Sequence, residues 1–364
     1  MMKLSFLLSS IIYLFIGSYS DPKDEGIQVF AFDTETAEVN YICGATGILS
    51  PGFICLSRDG RLVYSVGEVP DVDKTTVNCL RFDPRKKTLT LVSSQPALGG
   101  APSYIATSPN ERMVVTANYY TGDITTCTVN RKGILGKPVL YGFEGHSVNP
   151  VRQTHPYMHG VFFTPDGSEL WCTDLGTDLI RVFPVDKKGF PKIDKEHQRD
   201  YFIKSNLGPR HLVFSDDRPL AYLLGEMSGE VCTLDYSTPG QIRLVQALAE
   251  ANEYKGESAA DIHMSPDGRF VYSSYRETGD GLAIMKVEAD GTLTKVGYQR
   301  TGRYPRNFAI SPDGRFLLLA SRDDGVVEIY SRDLETGLLT DTGKRIPFHN
   351  PSCLKFFVPN KAVR

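Results

Sequence analysis

The 364-residue sequence lacks the motifs of several common enzyme classes. It has no Gly-x-Ser-x-Gly elbow, no phosphate-binding Gly-x4-Gly-Lys-Ser/Thr loop, no dinucleotide fingerprint, no His-Glu-x-x-His zinc motif and no calcium loop. It also has little net charge, because 40 basic side chains oppose 43 acidic ones and leave a formal charge of -3. We therefore predict no cofactor, no bound metal and no nucleic-acid partner.

The seven cysteines are scattered, and none are spaced as Cys-x-x-Cys. Their odd number and their spacing argue against a disulfide framework or a zinc site and favour reduced thiols buried in strands. The chain also has no Asn-x-Ser/Thr sequon with an allowed middle residue. Both observations favour a reducing compartment, so we predict a cytoplasmic location.

A repeated turn motif runs through most of the chain. Ser-Pro-Asp-Gly-Arg-Phe occurs at residues 265–270 and again at 311–316, and four looser copies precede them. We take the third residue of each copy, an Asp or Asn, as its landmark. Successive landmarks are separated by 51, 56, 51, 50 and 46 residues. These landmarks are Asp59, Asn110, Asp166, Asp217, Asp267 and Asp313. A period of ~50 residues in a strand-rich pattern predicts a β-propeller.

Each repeat has the pattern of four antiparallel strands. In residues 307–321 two apolar runs flank a Pro-Asp-Gly turn, where Pro presets φ and Gly accepts a positive φ, so a hairpin is predicted. A third strand such as 326–330 follows, and a fourth comes after it. Phrases like the third strand recur at 26–33, 177–183 and 282–287. Four strands form a propeller blade, and a β-sandwich with similar hairpins is the alternative.

The two chain ends supply a seventh blade. Residues 348–358 resemble the first strand of a blade, and residues 12–18 resemble a later strand. We therefore predict an all-β, seven-bladed propeller of four-stranded blades, closed by pairing the N- and C-terminal strands in one blade, because closure removes exposed sheet edges. The predicted boundaries are an N-terminal tail or short leader at 1–11, a single propeller domain at 12–358 and a C-terminal tail at 359–364.

The N-terminal segment is also typical of a secretory leader. Lys3, an apolar stretch from Leu4 to Ile16 and small residues near Ser20 fit that pattern. Cleavage after Ser20 would delete a strand of the closing blade, so we predict that at least 12–20 is retained. Export through the leader, or through a shorter one ending near Ser10, is the alternative. The segment is too short and too rich in serine for a membrane-spanning helix, and no membrane partner is predicted.

Polar residues accumulate at two fixed positions of the repeat. The first two strands of a blade are antiparallel, so the start of the first and the end of the second lie on one face, beside the central opening. Seven residues before the landmark stand Gly52, Ser103, His159, Arg210, Ala260 and Arg306. Nine residues after it stand Glu68, Tyr119, Leu175, Glu226, Arg276 and Arg322. The arginines indicate an anionic ligand, because a guanidinium binds carboxylate or phosphate bidentately.

For several of these residues, a purely structural role is the alternative to a role in binding. Arg306 and Arg322 could pair with carboxylates on a solvated rim, and His159 could be a hydrogen-bonded structural histidine. Three more histidines have offsets that indicate packing or a supporting role: His155, His211 and His263. Trp171 is predicted to lie in the core. The strongest candidates for a functional site are residues that three successive blades bring to the same end of the central opening: His159, Arg210, Glu226 and Arg276.

Five segments carry a recognisable series of motifs. They are Tyr-Met-His-Gly-Val at 157–161, Cys-Thr-Asp-Leu-Gly at 172–176, Gly-Pro-Arg-His at 208–211, Ala-Ala-Asp-Ile-His at 259–263 and Pro-Arg-Asn-Phe at 305–308. In content and order they resemble the lactonase family of seven-bladed propellers, which includes bacterial 6-phosphogluconolactonases and fungal muconate-cyclising enzymes. The resemblance covers about residues 13–357. Tryptophan-aspartate propellers are disfavoured, because their repeat period is shorter and their signature residues are different.

The resemblance also assigns roles to residues. The active residues proposed for the family correspond here to His159, Arg210, Glu226 and Arg276, which are predicted to be catalytic. The predicted substrate-binding residues are Arg306, Arg322, Glu68, Tyr119 and His211. The sequence departs from the family pattern at Tyr157, Gly225 and Tyr275, where a histidine, an asparagine and an asparagine are common. These departures keep the charged groups but leave the identity of the substrate open.

The resemblance implies metal-independent hydrolysis of a small anionic sugar lactone, 6-phosphoglucono-1,5-lactone, to 6-phosphogluconate. Glu226 or His159 would take a proton from the attacking water, and an arginine would stabilise the oxyanion. One alternative is that the same site closes a lactone on a muconate-like polycarboxylate. Another is that the rim only binds a sugar acid or a protein partner, because a fold does not prove a reaction.

Overall fold

The protein forms a ring of seven antiparallel β-sheets. The structure is a computed structural model, and it describes residues 10–186, 192–249 and 258–359. The sheets are the blades of a propeller, and the first strands of neighbouring blades contact one another around a central opening. The predicted all-β, seven-bladed fold is therefore confirmed.

The first four blades contain the strands up to residue 202. Blade 1 contains β1 (Ile11–Ser18), β2 (Ile27–Asp33) and β3 (Val39–Ala45). Blade 2 contains β4 (Ile54–Leu56), β5 (Leu62–Gly67), β6 (Thr76–Asp83) and β7 (Thr88–Pro96). Blade 3 contains β8 (Pro102–Thr107), β9 (Met113–Asn118), β10 (Asp123–Thr128) and β11 (Val139–Gly142). Blade 4 contains β12 (Met158–Phe163), β13 (Glu169–Asp174) and β14 (Leu179–Asp186), with β15 (Lys192–Ile193) and β16 (Arg199–Phe202) both paired to β14.

The remaining strands complete the ring. Blade 5 contains β17 (Pro209–Phe214), β18 (Leu220–Gly225), β19 (Val231–Asp235) and β20 (Arg243–Leu248). Blade 6 contains β21 (Ala259–Met264), β22 (Phe270–Tyr275), β23 (Gly281–Val287) and β24 (Leu293–Arg300). Blade 7 contains β25 (Pro305–Ile310), β26 (Phe316–Ser321), β27 (Val326–Arg332) and β28 (Leu339–Pro347), and β29 (Pro351–Phe357) returns to blade 1. Short 3-10 helices lie at Val72–Lys74, Glu277–Gly279 and Arg322–Asp324.

The repeated sequence motif builds the same turn in six blades. In blade 6, Ser265 Oγ donates to Asp267 Oδ1 at 2.5 Å, and the same oxygen of Ser265 accepts the Phe270 N–H at 3.0 Å. Gly268 adopts a φ of 69°, which glycine reaches without a steric penalty. The equivalent Ser or Thr pairs with its Asp or Asn in the other five copies. The period therefore arises from local turn chemistry.

The chain ends close the ring as predicted. β1 pairs antiparallel with β29, with Tyr13 opposite Phe357 and Gly17 opposite Cys353, and its other edge pairs with β2. β1 begins at Ile11, one residue before the predicted start of the domain. The predicted tails at 1–11 and 359–364 otherwise lie largely outside the described residues, so these boundaries stay predictions. Within the described ranges, no helix is long and apolar enough to cross a membrane.

The core lies between neighbouring blades. Second strands such as β5, β9, β18 and β22 are buried along their whole length, because each sheet is covered on both faces. Trp171 is 1% exposed, which confirms its predicted place in the core. All seven cysteines are free thiols and six of them are buried, as their spacing predicts.

Candidate active site

One backbone hydrogen bond recurs in all seven blades and builds a rim around one end of the central opening. The residue after the second strand donates its N–H to the carbonyl of the residue just before the first strand or, in blade 2, of Ser50, four residues before β4. The pairs are Tyr19 with Asn350, Glu68 with Ser50, Tyr119 with Ala101, Leu175 with Tyr157, Glu226 with Gly208, Arg276 with Ser258, and Arg322 with Tyr304. The bond thereby places the residue after each second strand on this rim, and that residue is polar in every blade except blade 4, where it is Leu175.

Arg210 and Glu226 converge on this rim. Arg210 is the second residue of β17 and Glu226 directly follows β18, and the register places Pro209 opposite Gly225. Arg210 Nε donates to Glu226 Oε2 at 2.8 Å. The two residues are 1% and 7% exposed, so the ion pair is buried. The predicted convergence of these two side chains is confirmed.

Glu226 is the centre of a larger cluster. Besides Arg210, its Oε2 lies 3.4 Å from Arg276 Nη2 and 3.5 Å from His159 Nε2. Its Oε1 accepts a hydrogen bond of 2.6 Å from Arg152 Nη2. Burial alone would raise the pKa of Glu226, but the hydrogen bond from His159 and the charges of Arg276 and Arg210 hold it well below its usual range. Glu226 is therefore a carboxylate at neutral pH.

His159 is the second residue of β12 and faces Glu226. Burial and the positive charge of Arg210 lower the pKa of His159 to about 3, so the imidazole is neutral. When Nε2 donates to Glu226, Nδ1 is unprotonated, and Nδ1 is buried without a hydrogen-bond partner. The ring packs edge-on against Tyr119, with centroids 5.0 Å apart. A free imidazole lone pair beside a carboxylate can accept a proton.

A second carboxylate lies on the same rim. Tyr19 OH donates to Glu68 Oε1 at 3.2 Å and accepts from Arg306 Nη2 at 2.9 Å. Burial raises the pKa of Glu68, and it raises the pKa of Tyr19 to about 12. Glu68 Oε2 is buried without a hydrogen-bond partner. Arg306 Nη2 also lies 3.8 Å from Glu68 Oε1, so Arg306 pairs with a carboxylate as the structural alternative proposed, and this pair lies on the rim of the central opening.

Arg276 and Arg322 meet at Tyr304. Arg276 donates to the carbonyls of Ser258 and Ala259 at 3.0 Å each, and its Nη1 donates to Tyr304 OH at 3.2 Å. The Arg322 guanidinium lies 3.5 Å above the centre of the Tyr304 ring. These contacts fix the direction of both arginines.

His211 lies one layer below the rim. Its Nδ1 is 2.7 Å from Asp261 Oδ1, and Arg210 Nη1 lies 3.3 Å from the ring nitrogens. Burial and the charge of Arg210 lower the pKa of His211 well below its usual value. The ring is 4% exposed and packs against Tyr104. This position matches the supporting alternative for His211, and its contact with substrate stays a prediction.

Sequence reasoning missed three residues of this site: Tyr19, Arg152 and Tyr304. Tyr19 follows the second strand of blade 1 and is the equivalent of Glu226 there, but blade 1 lacks the turn motif from which offsets are counted. Arg152 lies in the irregular connection between β11 and β12, outside the repeat. Aligning the strand ends of all seven blades would have found Tyr19; no signal in the sequence points to Arg152.

The rim carries an excess of positive charge. Five guanidinium groups converge with two carboxylates: Arg152, Arg210, Arg276, Arg306 and Arg322 with Glu68 and Glu226. Among the side chains that the structure describes, no three His, Cys, Asp or Glu residues form a cluster that could hold a metal ion. The arrangement can bind an anion and can move a proton at the Glu226–His159 pair.

Comparisons with known proteins identify the family. The model of the family described as lactonase, 7-bladed beta-propeller, matches residues 13–356. A 6-phosphogluconolactonase of Formosa agariphila is 30% identical over 353 residues, which are 94% of this chain and 99% of that protein. A candidate 6-phosphogluconolactonase structure from Bacteroides fragilis has a TM-score of 0.90 and 38% identity, covering 97% of this chain and 99% of that one.

A further structure extends the similarity to an exported protein. The periplasmic gluconolactonase of Pseudomonas aeruginosa has a TM-score of 0.88 and 29% identity, and the match covers 96% of this chain and 100% of that one. The family model spans nearly the whole ring of blades, so it includes every residue of the rim described above. The predicted family and enzyme class are thus confirmed: this chain belongs to the lactonase family of seven-bladed β-propellers.

Proposed function

We propose that this protein hydrolyses 6-phosphoglucono-1,5-lactone to 6-phosphogluconate without a metal ion. The observation that carries the proposal is the rim itself, where three arginines contact one ionised carboxylate beside a neutral histidine, and two further arginines line the same rim. Relatives named 6-phosphogluconolactonase support the choice of substrate. The phosphate and the developing oxyanion of this lactone both need positive charge.

The arginines divide into fixed and available groups. Arg210 is 1% exposed and is held by Glu226, so it supports the carboxylate and the local field. The Arg152 side chain is 37% exposed and the Arg322 side chain is 27% exposed. Arg152 pairs with Glu226, and Arg322 pairs with Asp323 at 2.7 Å and covers Tyr304, but both guanidinium groups reach solvent and can contact a ligand there. We assign the phosphate to Arg152, Arg306 and Arg322, and the carbonyl oxyanion to Arg276.

The proton of the attacking water goes to the Glu226–His159 pair. Both groups are weak bases. Burial and the charge of Arg210 lower the pKa of His159, and, against burial, the hydrogen bond from His159 and the positive field of Arg276 and Arg210 lower the pKa of Glu226. The same field stabilises the hydroxide that forms, and it stabilises the oxyanion. When Arg152 turns from Glu226 Oε1 to the phosphate, that oxygen becomes free to accept the proton. Because the lactone also opens unaided, modest barrier lowering is sufficient.

The test is an assay of purified protein coupled to 6-phosphogluconate dehydrogenase. We expect lactone opening faster than the spontaneous rate, and we expect the rate to persist after treatment with a chelator. Glucono-1,5-lactone without phosphate and a muconate are run as comparison substrates. A rate equal to spontaneous opening would contradict the proposal, and faster loss of muconate absorbance would support the cycloisomerase alternative.

We also propose that residues 12–20 are retained and that the protein is cytoplasmic. β1 pairs with both β2 and β29, so cleavage after Ser20 would open the ring. The periplasmic relative makes export through a shorter leader the alternative. The mass of the mature protein decides between them, and a mature chain that starts at Asp21 would contradict this part of the proposal.

A further inference from the structure

Tyr304 occupies an unusual position on the rim. It precedes β25 with a φ of 57°, in the left-handed region. Blade 4 places Tyr157 at this point, and the other five blades place a residue smaller than tyrosine there. Four of those five also have a positive φ: Ser50, Ala101, Gly208 and Asn350. A tyrosine accepts this conformation less readily than glycine. Its N–H donates to Asp280 Oδ1 at 2.9 Å and its carbonyl accepts from the Arg322 N–H at 3.2 Å, which hold it there.

The phenol of Tyr304 is enclosed by positive charge. Arg276 Nη1 donates to its oxygen at 3.2 Å, and the Arg322 guanidinium covers its ring at 3.5 Å. The charged groups that face it come from the ends of four strands: Arg210, Arg276, Arg306 and Arg322. Burial alone would raise the pKa of Tyr304, but these four charges outweigh burial and lower it.

Lactone opening needs a proton on the ring oxygen that leaves. Before water attacks, Glu226 is ionised and has no proton to give, and the proton of neutral His159 lies in its hydrogen bond to Glu226. The proton that this pair takes from water during the attack is the competing source, and the Tyr304→Phe variant described below tests it. Two other rim tyrosines are poorer acids, because burial raises the pKa of Tyr19 and that of Tyr119. On the described part of the rim, Tyr304 is the O–H group whose ionisation the surroundings favour.

We propose that Tyr304 donates the proton that the departing ring oxygen takes up. The inference rests on the lactonase function proposed above. The water oxygen bonds to the carbonyl carbon, and its proton passes to the Glu226–His159 pair. When the tetrahedral intermediate collapses, the bond from that carbon to the ring oxygen breaks, and the oxygen keeps the electron pair and takes the phenol proton. Arg276 and Arg322 stabilise the tyrosinate until it regains a proton from the pair or from solvent.

The first test compares Tyr304→Phe with the wild type. The Phe ring keeps the contact with Arg322 but has no proton to donate. We expect kcat to fall by about 100-fold, while KM and the affinity for 6-phosphogluconate change by less than about threefold. The control is Tyr120→Phe on the same rim, where the tyrosine is 60% exposed, and its activity is expected to be unchanged. Thermal unfolding of both variants shows that they are folded.

The pH profile separates proton donation from a packing role. A proton donor must be protonated, so the wild-type kcat, corrected for spontaneous opening, falls as the pH rises through the pKa of Tyr304. Tyr304→Phe lacks this fall. An ultraviolet difference titration of the two proteins measures the same ionisation without substrate, and we expect it below the ordinary value of 10.0.

Several outcomes would overturn the inference. They are a variant kcat within about threefold of the wild type, an unchanged alkaline fall in the variant, a rise in KM with kcat preserved, and a titration at or above 10.0. A wild-type protein that does not accelerate lactone opening would instead defeat the proposed function itself. The two failures are therefore distinguishable.

Discussion

Two buried carboxylates in neighbouring blades have different partners. Glu226 in blade 5 contacts three arginines and one histidine. Asp261 in blade 6 contacts His211 at 2.7 Å and His263 at 2.8 Å, and it accepts a hydrogen bond from the Asn307 amide. Burial would raise the pKa of either group, yet both lie well below their usual range, because hydrogen bonds and positive partners outweigh burial.

The difference between them shows how similar chemistry serves two roles. Asp261 connects the first strands of three blades, because its partners come from β17 and β25. It lines a cavity of about 500 Å³ together with His263 and Lys355, whereas Glu226 lies at the arginine rim. The partners of Glu226 include Arg152, which reaches it from a loop and is partly exposed. We infer that Asp261 stabilises the ring and that Glu226 acts on substrate.

Glu226→Gln is expected to have the largest effect on activity. The amide cannot accept a proton, so kcat/KM in the coupled assay is expected to fall by about 1000-fold. The freed arginines keep the affinity for 6-phosphogluconate unchanged or make it tighter. The matched control is Glu230→Gln in the same blade, because Glu230 is also buried but pairs with Lys204 at 2.5 Å. A loss of less than about tenfold in the Glu226 variant would contradict its proposed role.

Asp261→Asn is expected to act on stability instead. Asparagine offers a weaker acceptor to His211 and His263, so the free energy of unfolding in urea is expected to fall by about 2–3 kcal/mol. The kcat/KM is expected to stay within about threefold of the wild type. A large loss of activity without a loss of stability would abolish the distinction between the two carboxylates.

His159→Asn tests the neutral histidine through the pH dependence of unfolding. The folded pKa is about 3, against 6.5 for the free side chain, so between these values the unfolded chain binds a proton that the folded chain does not. The free energy of unfolding therefore decreases as the pH falls through this window, by about 1–2 kcal/mol at pH ~5. The variant should show a shallower decrease, although His211 contributes a similar slope in both proteins. An identical slope would show that His159 is not held neutral.

Arg152→Gln is expected to have the smallest effect. It removes one contact to the substrate anion and one hydrogen bond to Glu226, so KM is expected to rise about fivefold while kcat changes less than about twofold. The control is Arg61→Gln, an exposed arginine in a turn, where its partner is Asp59. If KM is unchanged, Arg152 does not contact the substrate, and the assignment of the phosphate must be revised.

The sequence by itself determined the ring and most of its rim. Ser265 and Asp267 build a turn from residues only a few positions apart, and each copy repeats that local chemistry. A regular repeat converts position along the chain into position around the axis. Counting from the turns was therefore enough to bring Arg210 and Glu226 to one mouth.

Only the tertiary structure decided which residues complete the site and how they are charged. Arg152 lies 74 residues from its partner Glu226, and Tyr19 lies 287 residues from its partner Arg306. Neither Arg152 nor Tyr19 stands at an offset that can be counted from a copy of the turn motif. The neutral state of His159 and the ionised state of Glu226 depend on burial and on charges from several blades. Such energies depend on distance in space, which separation along the chain does not specify.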